Sequence, residues 1–117
     1  MARARRDRNE PLYMISVVSK LLEVHPQTLR MYEREGFVTP RRINRQRVYS
    51  DDDIERLNLV INLTRELGVN KAGVDIILRM KNRIAAVESE MREIMNYLED
   101  DVREQFENKL RQLLNEM

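Results

Sequence analysis

Arg41, Arg42, Arg45 and Arg47 fall within seven residues, and no acid interrupts them. Guanidinium groups this close repel one another unless a polyanion neutralises them, and what they offer is hydrogen bonding to phosphate oxygens. Just upstream, Arg30 and Arg34 lie four apart on a segment of helical spacing, so they share a face. Gln27 and Thr28 occupy the first turn of that segment. Glutamine pairs with adenine, and arginine with guanine or phosphate. The first residues of a helix lying in the major groove are the ones that reach base edges. Glu33 and Glu35 flank Arg34 and could pair with it instead. Tyr32 and Tyr49 each read either as a core aromatic with its hydroxyl at the surface or as a phosphate contact.

Other chemistries lack their residues. There is no cysteine and one histidine, His25. Thiolate metal sites, redox thiols and histidine dyads are therefore absent, and no nucleophile–base pair or phosphate loop stands in for them. His25 precedes Pro26, which gives it a helix-capping position. We expect no enzyme, no metal and no cofactor. No apolar run is long enough to span a bilayer, and the basic N-terminus lacks the apolar segment of a signal peptide. The expected location is the cytoplasm. The net charge of +1 conceals an asymmetry: residues 1–49 hold 11 Lys/Arg against 5 Asp/Glu, and residues 50–117 hold 10 against 15. A basic half suits a polyanion, and an acidic half suits another protein.

The elements that must position the arginines follow from punctuation and period. Residues 1–11 read as a flexible basic arm, either a solvated terminus or a phosphate-contacting strap. A first helix is expected after Ser16 as cap, with Val18, Leu21 and Leu22 on its apolar face. Pro26 opens a second helix and Gly36 stops it. Period two over residues 37–49 predicts two short strands, with Phe37, Val38 and Ile43 before a tip at Asn44-Arg45-Gln46 and Val48 and Tyr49 after it. Asn44 is the candidate left-handed residue. Ser50 and Asp53 form a capping box for the next helix, which carries Ile54, Leu57, Ile61 and Leu67 and ends at Gly68. Asn70 caps another helix, with Val74, Ile77 and Leu78 inside.

Residues 81–117 contain neither glycine nor proline. Ile84, Val87, Met91, Ile94 and Leu98 are spaced 3, 4, 3, 4, a heptad seam fit for dimerisation. Beyond it, Val102, Phe106, Leu110, Leu113 and Met117 continue an apolar stripe. One helix with a phase shift and two helices bent at 99–101 both fit, and the bend is favoured. A tail this short is expected to be too small to enclose a ligand pocket of several hundred Å³ while also making a dimer interface.

The whole predicts a mostly α fold: residues 12–80 as a winged helix-turn-helix with a small two-stranded wing, and 81–117 as a helical, coiled-coil dimerisation tail. The chain resembles the MerR family of transcription regulators. The resemblance rests on Ile15-Ser16-Val17, Thr28-Leu29-Arg30-x-Tyr32-Glu33-x-x-Gly36, Arg47-x-Tyr49-Ser50, Asp53-Ile54-x-x-Leu57 and Glu66-Leu67-Gly68-Val69. Within the family, the stretches 25–30 and 68–74 resemble the HspR branch of heat-shock repressors. That resemblance implies a homodimer on a palindromic operator in double-stranded DNA, repressing chaperone genes, with a DnaK-type chaperone as co-repressor. It also implies DNA contacts by Thr28, Arg30 and Tyr32 from the second helix and by Arg47 and Tyr49 from the wing. The family often has glycine at the wing tip, where this chain has Asn44 and Arg45. A different class of function on the same scaffold is a chaperone modulator that binds protein and not DNA. The clustered arginines favour the DNA reading, because a module that ignores DNA has no need of them together.

Overall fold

The structure, a computed structural model, describes residues 7–116. Two compact units divide between Leu78 and Arg79.

In the first unit, β1 (Tyr13–Met14) leads straight into α1 (Ile15–Leu22). Met14 is the extended residue before the helix and Ser16 lies inside it, which corrects the expected Ser16 cap. The physical reason is long-range: Tyr13 and Met14 are held by pairing with Tyr49 and Val48, so the helix starts where that strand ends. α1 closes on Glu23 at φ 56, and α2 spans Pro26–Arg34. His25 caps α2 as expected, its Nδ1 accepting from the Gln27 N–H at 3.0 Å. Gly36 follows at φ 81, a conformation that favours glycine.

The wing consists of β2 (Arg41–Ile43) and β3 (Gln46–Tyr49), antiparallel, with β1 on the other side of β3. The sheet therefore has three strands where the sequence predicted two. Asn44 and Arg45 both have positive φ, at 51 and 66. Two left-handed residues in succession make a tight hairpin turn whose twist matches its strands. The tip is thus two residues long, with Gln46 already in β3. Phe37 and Val38 lie outside the strands, at 1% and 2% exposure in the core.

α3 (Asp51–Ile61) begins with the complete expected capping box. Ser50 Oγ accepts from the Asp53 N–H at 3.1 Å, and Asp53 Oδ2 accepts from the Ser50 N–H at 3.0 Å. α3 runs into a π-helical turn, Asn62–Glu66. Thr64 Oγ1 donates back to the Val60 carbonyl at 2.8 Å there. Gly68 follows at φ 65. Asn70 caps α4 (Lys71–Met95), its Oδ1 accepting from the Gly73 N–H at 2.9 Å. The core joins Val18, Leu29, Leu57, Val60, Val74 and Leu78, all at 2% exposure or less, with Tyr49 and Phe37. Leu21 and Leu67, expected inside, are exposed. In α1 it is Leu22, and not Leu21, that packs against the core beside Val18.

The second unit holds the rest of α4 and α5 (Asp100–Asn115). The chain bends as favoured, but at residues 96–99, ahead of the expected 99–101, and Arg103 secures the bend by donating to the carbonyls of Met95 at 2.9 Å and Leu98 at 3.3 Å. Ile84, Val87 and Met91 share an open apolar groove of about 430 Å³ with Met95, Leu110, Leu113 and Leu114. The groove is open to solvent, and it forms because the tail folds back and brings apolar residues of α4 and α5 together. Ile94 and Leu98 do not line the groove: Ile94 is exposed on α4, and Leu98 lies in the turn past the end of α4 at Met95. Among its described residues this unit has no fully buried side chain.

Candidate nucleic-acid interface

α2 is amphipathic around a short axis. Leu29 and Tyr32 face the core at 0% and 3% exposure. Gln27, Arg30 and Arg34 recur at i, i+3 and i+7 on the opposite side, with Thr28 on a flank. Gln27 and Arg34 are exposed, and Arg30 and Thr28 half-buried. Neither Glu33 nor Glu35 takes Arg34, and no described residue pairs with Arg30 or Arg34. Met31 sits within the same outer face at 37% exposure, a large apolar side chain offered to solvent among the polar ones. Sequence reasoning passed over it; its position four after Gln27 and three before Arg34 was the available signal. An apolar group at such a place suits a thymine methyl.

The wing sorts its arginines by strand register. Arg42 and Arg47 are directly opposite one another in the β2–β3 pair and therefore share a face. Both converge on Glu33 of α2. Arg47 Nε donates to Glu33 Oε1 at 2.5 Å, and Arg42 Nη2 to Glu33 Oε2 at 3.2 Å. Arg41 lies on the other face, opposite Val48, and Arg45 at the tip; both are exposed, and no described residue pairs with either. Glu33 was read only as a neighbour of Arg34. Nothing local in the sequence shows that a hairpin nine to fourteen residues away folds back onto it.

Two tyrosines go inward. Tyr32 reaches Thr64 Oγ1 in the π-helical turn, hydroxyl to hydroxyl at 3.3 Å, which ties α2 to the end of α3. Tyr49 is fully buried and its hydroxyl has no hydrogen-bond partner among the described residues. The structure thus holds these two as core aromatics, and the contacts expected of them with DNA would require their hydroxyls at the surface. Burial, and secondarily Glu33 nearby, pushes the Tyr49 phenol up to about 12. An unfolded tyrosine ionises near about 10. As pH rises the unfolded chain loses that proton first, so the stability conferred is intact below about 10 and falls away towards about 12. Tyr49→Phe should therefore equal or exceed the original chain by about 1 kcal/mol at neutral pH, since it removes an unpaired buried group. It should also flatten the alkaline fall. Urea unfolding at neutral and alkaline pH checks this; a clear loss at neutral pH would mean the hydroxyl has a partner.

Of the arm, residues 1–6 lie outside the described residues. Arg8 is held on α3, its Nε 2.9 Å from Asp52 and its Nη2 2.8 Å from Glu55. No cluster of metal-ligating side chains occurs among the described residues, and no helix there is long and apolar enough to cross a membrane.

The geometry has relatives. Residues 13–81 match the MerR HTH family regulatory protein domain. The chain is 42% identical over 85 residues to a putative heat shock protein HspR of Streptomyces coelicolor, covering 72% of this chain and 56% of that one. It is 34% identical over 82 residues to the HTH-type transcriptional regulator GlnR of Bacillus anthracis, covering 68% of this chain and 63% of the relative, and equally so to the GlnR of Bacillus cereus. The chain thus spans less than two thirds of the length of these relatives.

Proposed function

Since the chain belongs to the MerR family of helix-turn-helix regulatory proteins, we propose that it represses transcription by binding a palindromic operator in double-stranded DNA as a homodimer. The observation that carries the DNA reading is one set of side chains. Gln27, Arg30 and Arg34 on the outer face of α2, and Arg41 and Arg45 on the wing, are left without intramolecular partners among the described residues, while Glu33 fastens helix to wing. Such a set offers base-edge contacts from the helix and phosphate contacts from the hairpin. Residues 12–80 would bind DNA and 81–117 would dimerise.

The dimer reading rests on the second unit. A helical hairpin that buries no side chain fully has no core of its own, and Ile84 and Val87 remain 45% and 52% exposed along its groove. An apolar face of that kind is a liability unless it is covered. A second copy supplies an identical, self-complementary face.

Heat-shock genes as targets are supported by the similarity to the Streptomyces relative, a putative heat shock protein HspR. A DnaK-type chaperone then serves as co-repressor, docking on the first turns of α5, where Val102 and Phe106 stay exposed and Asp100 and Asp101 add charge.

The test is binding to duplex DNA from the region upstream of the protein's own gene. Six to ten phosphate contacts in a dimer should weaken affinity by about 10³–10⁵ between about 50 and 200 mM salt. Purified DnaK should shift that affinity. Binding that ignores salt would contradict the DNA reading, and an unmoved affinity would remove the chaperone.

A further inference from the structure

Arg42 and Arg47 stand directly opposite on β2 and β3, an arrangement of like charges that destabilises a hairpin unless something lies between them. Glu33 does. Its two carboxylate oxygens take one arginine each, and Glu33 and Arg47 are both about three-quarters withdrawn from water, at 25% and 23% side-chain exposure. Arg42 remains half exposed on the longer of the two contacts. The wing touches α2 through this carboxylate from the side of the helix next to Arg30, three residues before Glu33. An exposed ion pair contributes little to stability. A half-buried bridge joining two strands to a helix fixes geometry instead.

We propose that Glu33 is a positioning residue that locks the wing to the recognition helix, and that it takes Arg47 out of phosphate contact. The wing's phosphate contacts then fall to Arg41 and Arg45, which carry no partner among the described residues. The inference deepens the DNA reading above and rests on it. It also parts from what the family resemblance implied for Arg47. Locking matters because base discrimination requires the helix and wing to meet their two grooves in one fixed relation. A wing released from Glu33 gains two free cations that bind any phosphate.

The full chain is tested on its upstream duplex and on random-sequence duplex over a range of salt. Glu33→Gln is isosteric and leaves Arg42 and Arg47 uncompensated. It should bind random DNA more tightly, steepen the salt slope by about two to four for a dimer, and lower the ratio of specific to random affinity by about tenfold. Arg47→Ala should lower that ratio while leaving the salt slope close to that of the original chain. Arg45→Ala should flatten the slope by about two. A purely structural role for Glu33 would weaken both duplexes alike and leave the slope unmoved. The paired charge swap Glu33→Arg with Arg47→Glu should restore discrimination. If Arg47→Ala flattens the slope as Arg45→Ala does, Arg47 contacts phosphate and the inference is overturned while the DNA reading stands. If the original chain binds neither duplex, the DNA reading fails and takes the inference with it.

Discussion

Ile84→Glu combined with Met91→Glu is expected to convert the chain to a monomer and lower operator affinity by at least about 10²–10⁴, the gain that a second linked site provides. Both residues line the groove of the second unit and neither is fully buried in the single chain. The substitutions should therefore leave the helical hairpin folded while placing four carboxylates, two from each copy, in an apolar seam. Burying unpaired charges there costs more than the seam can return. Sedimentation equilibrium at micromolar concentration reads the mass, and circular dichroism shows whether the helices persist. An original chain that sediments as a monomer would defeat the dimer. So would a double variant that stays dimeric, since the groove would then not be the interface.

Arg30→Ala is expected to relax base preference and not simply to weaken binding. Arg30 is half-buried on the outer face of α2, which restricts its rotamers. A bidentate arginine–guanine contact discriminates by about 1–3 kcal/mol, and a dimer makes it twice, so the operator should lose about 2–6 kcal/mol relative to the same duplex carrying changed bases at that position. Arg34→Ala, one turn further along α2, should fall mainly on phosphate contact and weaken all duplexes to a similar degree. Competition between single-base operator variants separates the two. If Arg30→Ala weakened every variant equally, Arg30 would be a phosphate contact and base reading would rest on Gln27 and Met31.

What the sequence made legible is local. Pro26 and Gly36 delimit α2, and Ser50 with Asp53 starts α3, because caps and breakers act within four residues of themselves. That the tail bends was legible for the same reason, since acids in a first turn interrupt an apolar repeat, but the break falls at 96–99 and not at 99–101. What escaped depends on contacts distant along the chain. β1 exists because Tyr13 and Met14 find Tyr49 and Val48, and that pairing, not Ser16, sets where α1 begins. Arg45 at positive φ was missed since tip composition without glycine pointed only to Asn44. Leu21 looked like core because i, i+3 and i, i+4 spacing from Val18 does not tell which of Leu21 and Leu22 turns inward, and the structure packs Leu22. The heptad count ran on to Leu98, which lies past the end of α4 at Met95. The arginine cluster was visible as a charge, but which of its members are bound by Glu33 followed from strand register, a property of the folded hairpin. Tyr49 could not be assigned from its type, and only the packing around β3 decided it.

The most direct test of DNA recognition by α2 and the wing is selection from a pool of random duplexes with the full chain at physiological salt. The expected result is an inverted repeat whose half-sites are centred one helical turn, or a whole number of turns, apart, as a two-fold dimer with one recognition helix per protomer demands. Selection with Arg30→Ala should return the same spacing with one position per half-site degenerate. A pool that emerges without any shared sequence, or a single unpaired site, would contradict a dimeric, sequence-reading protein.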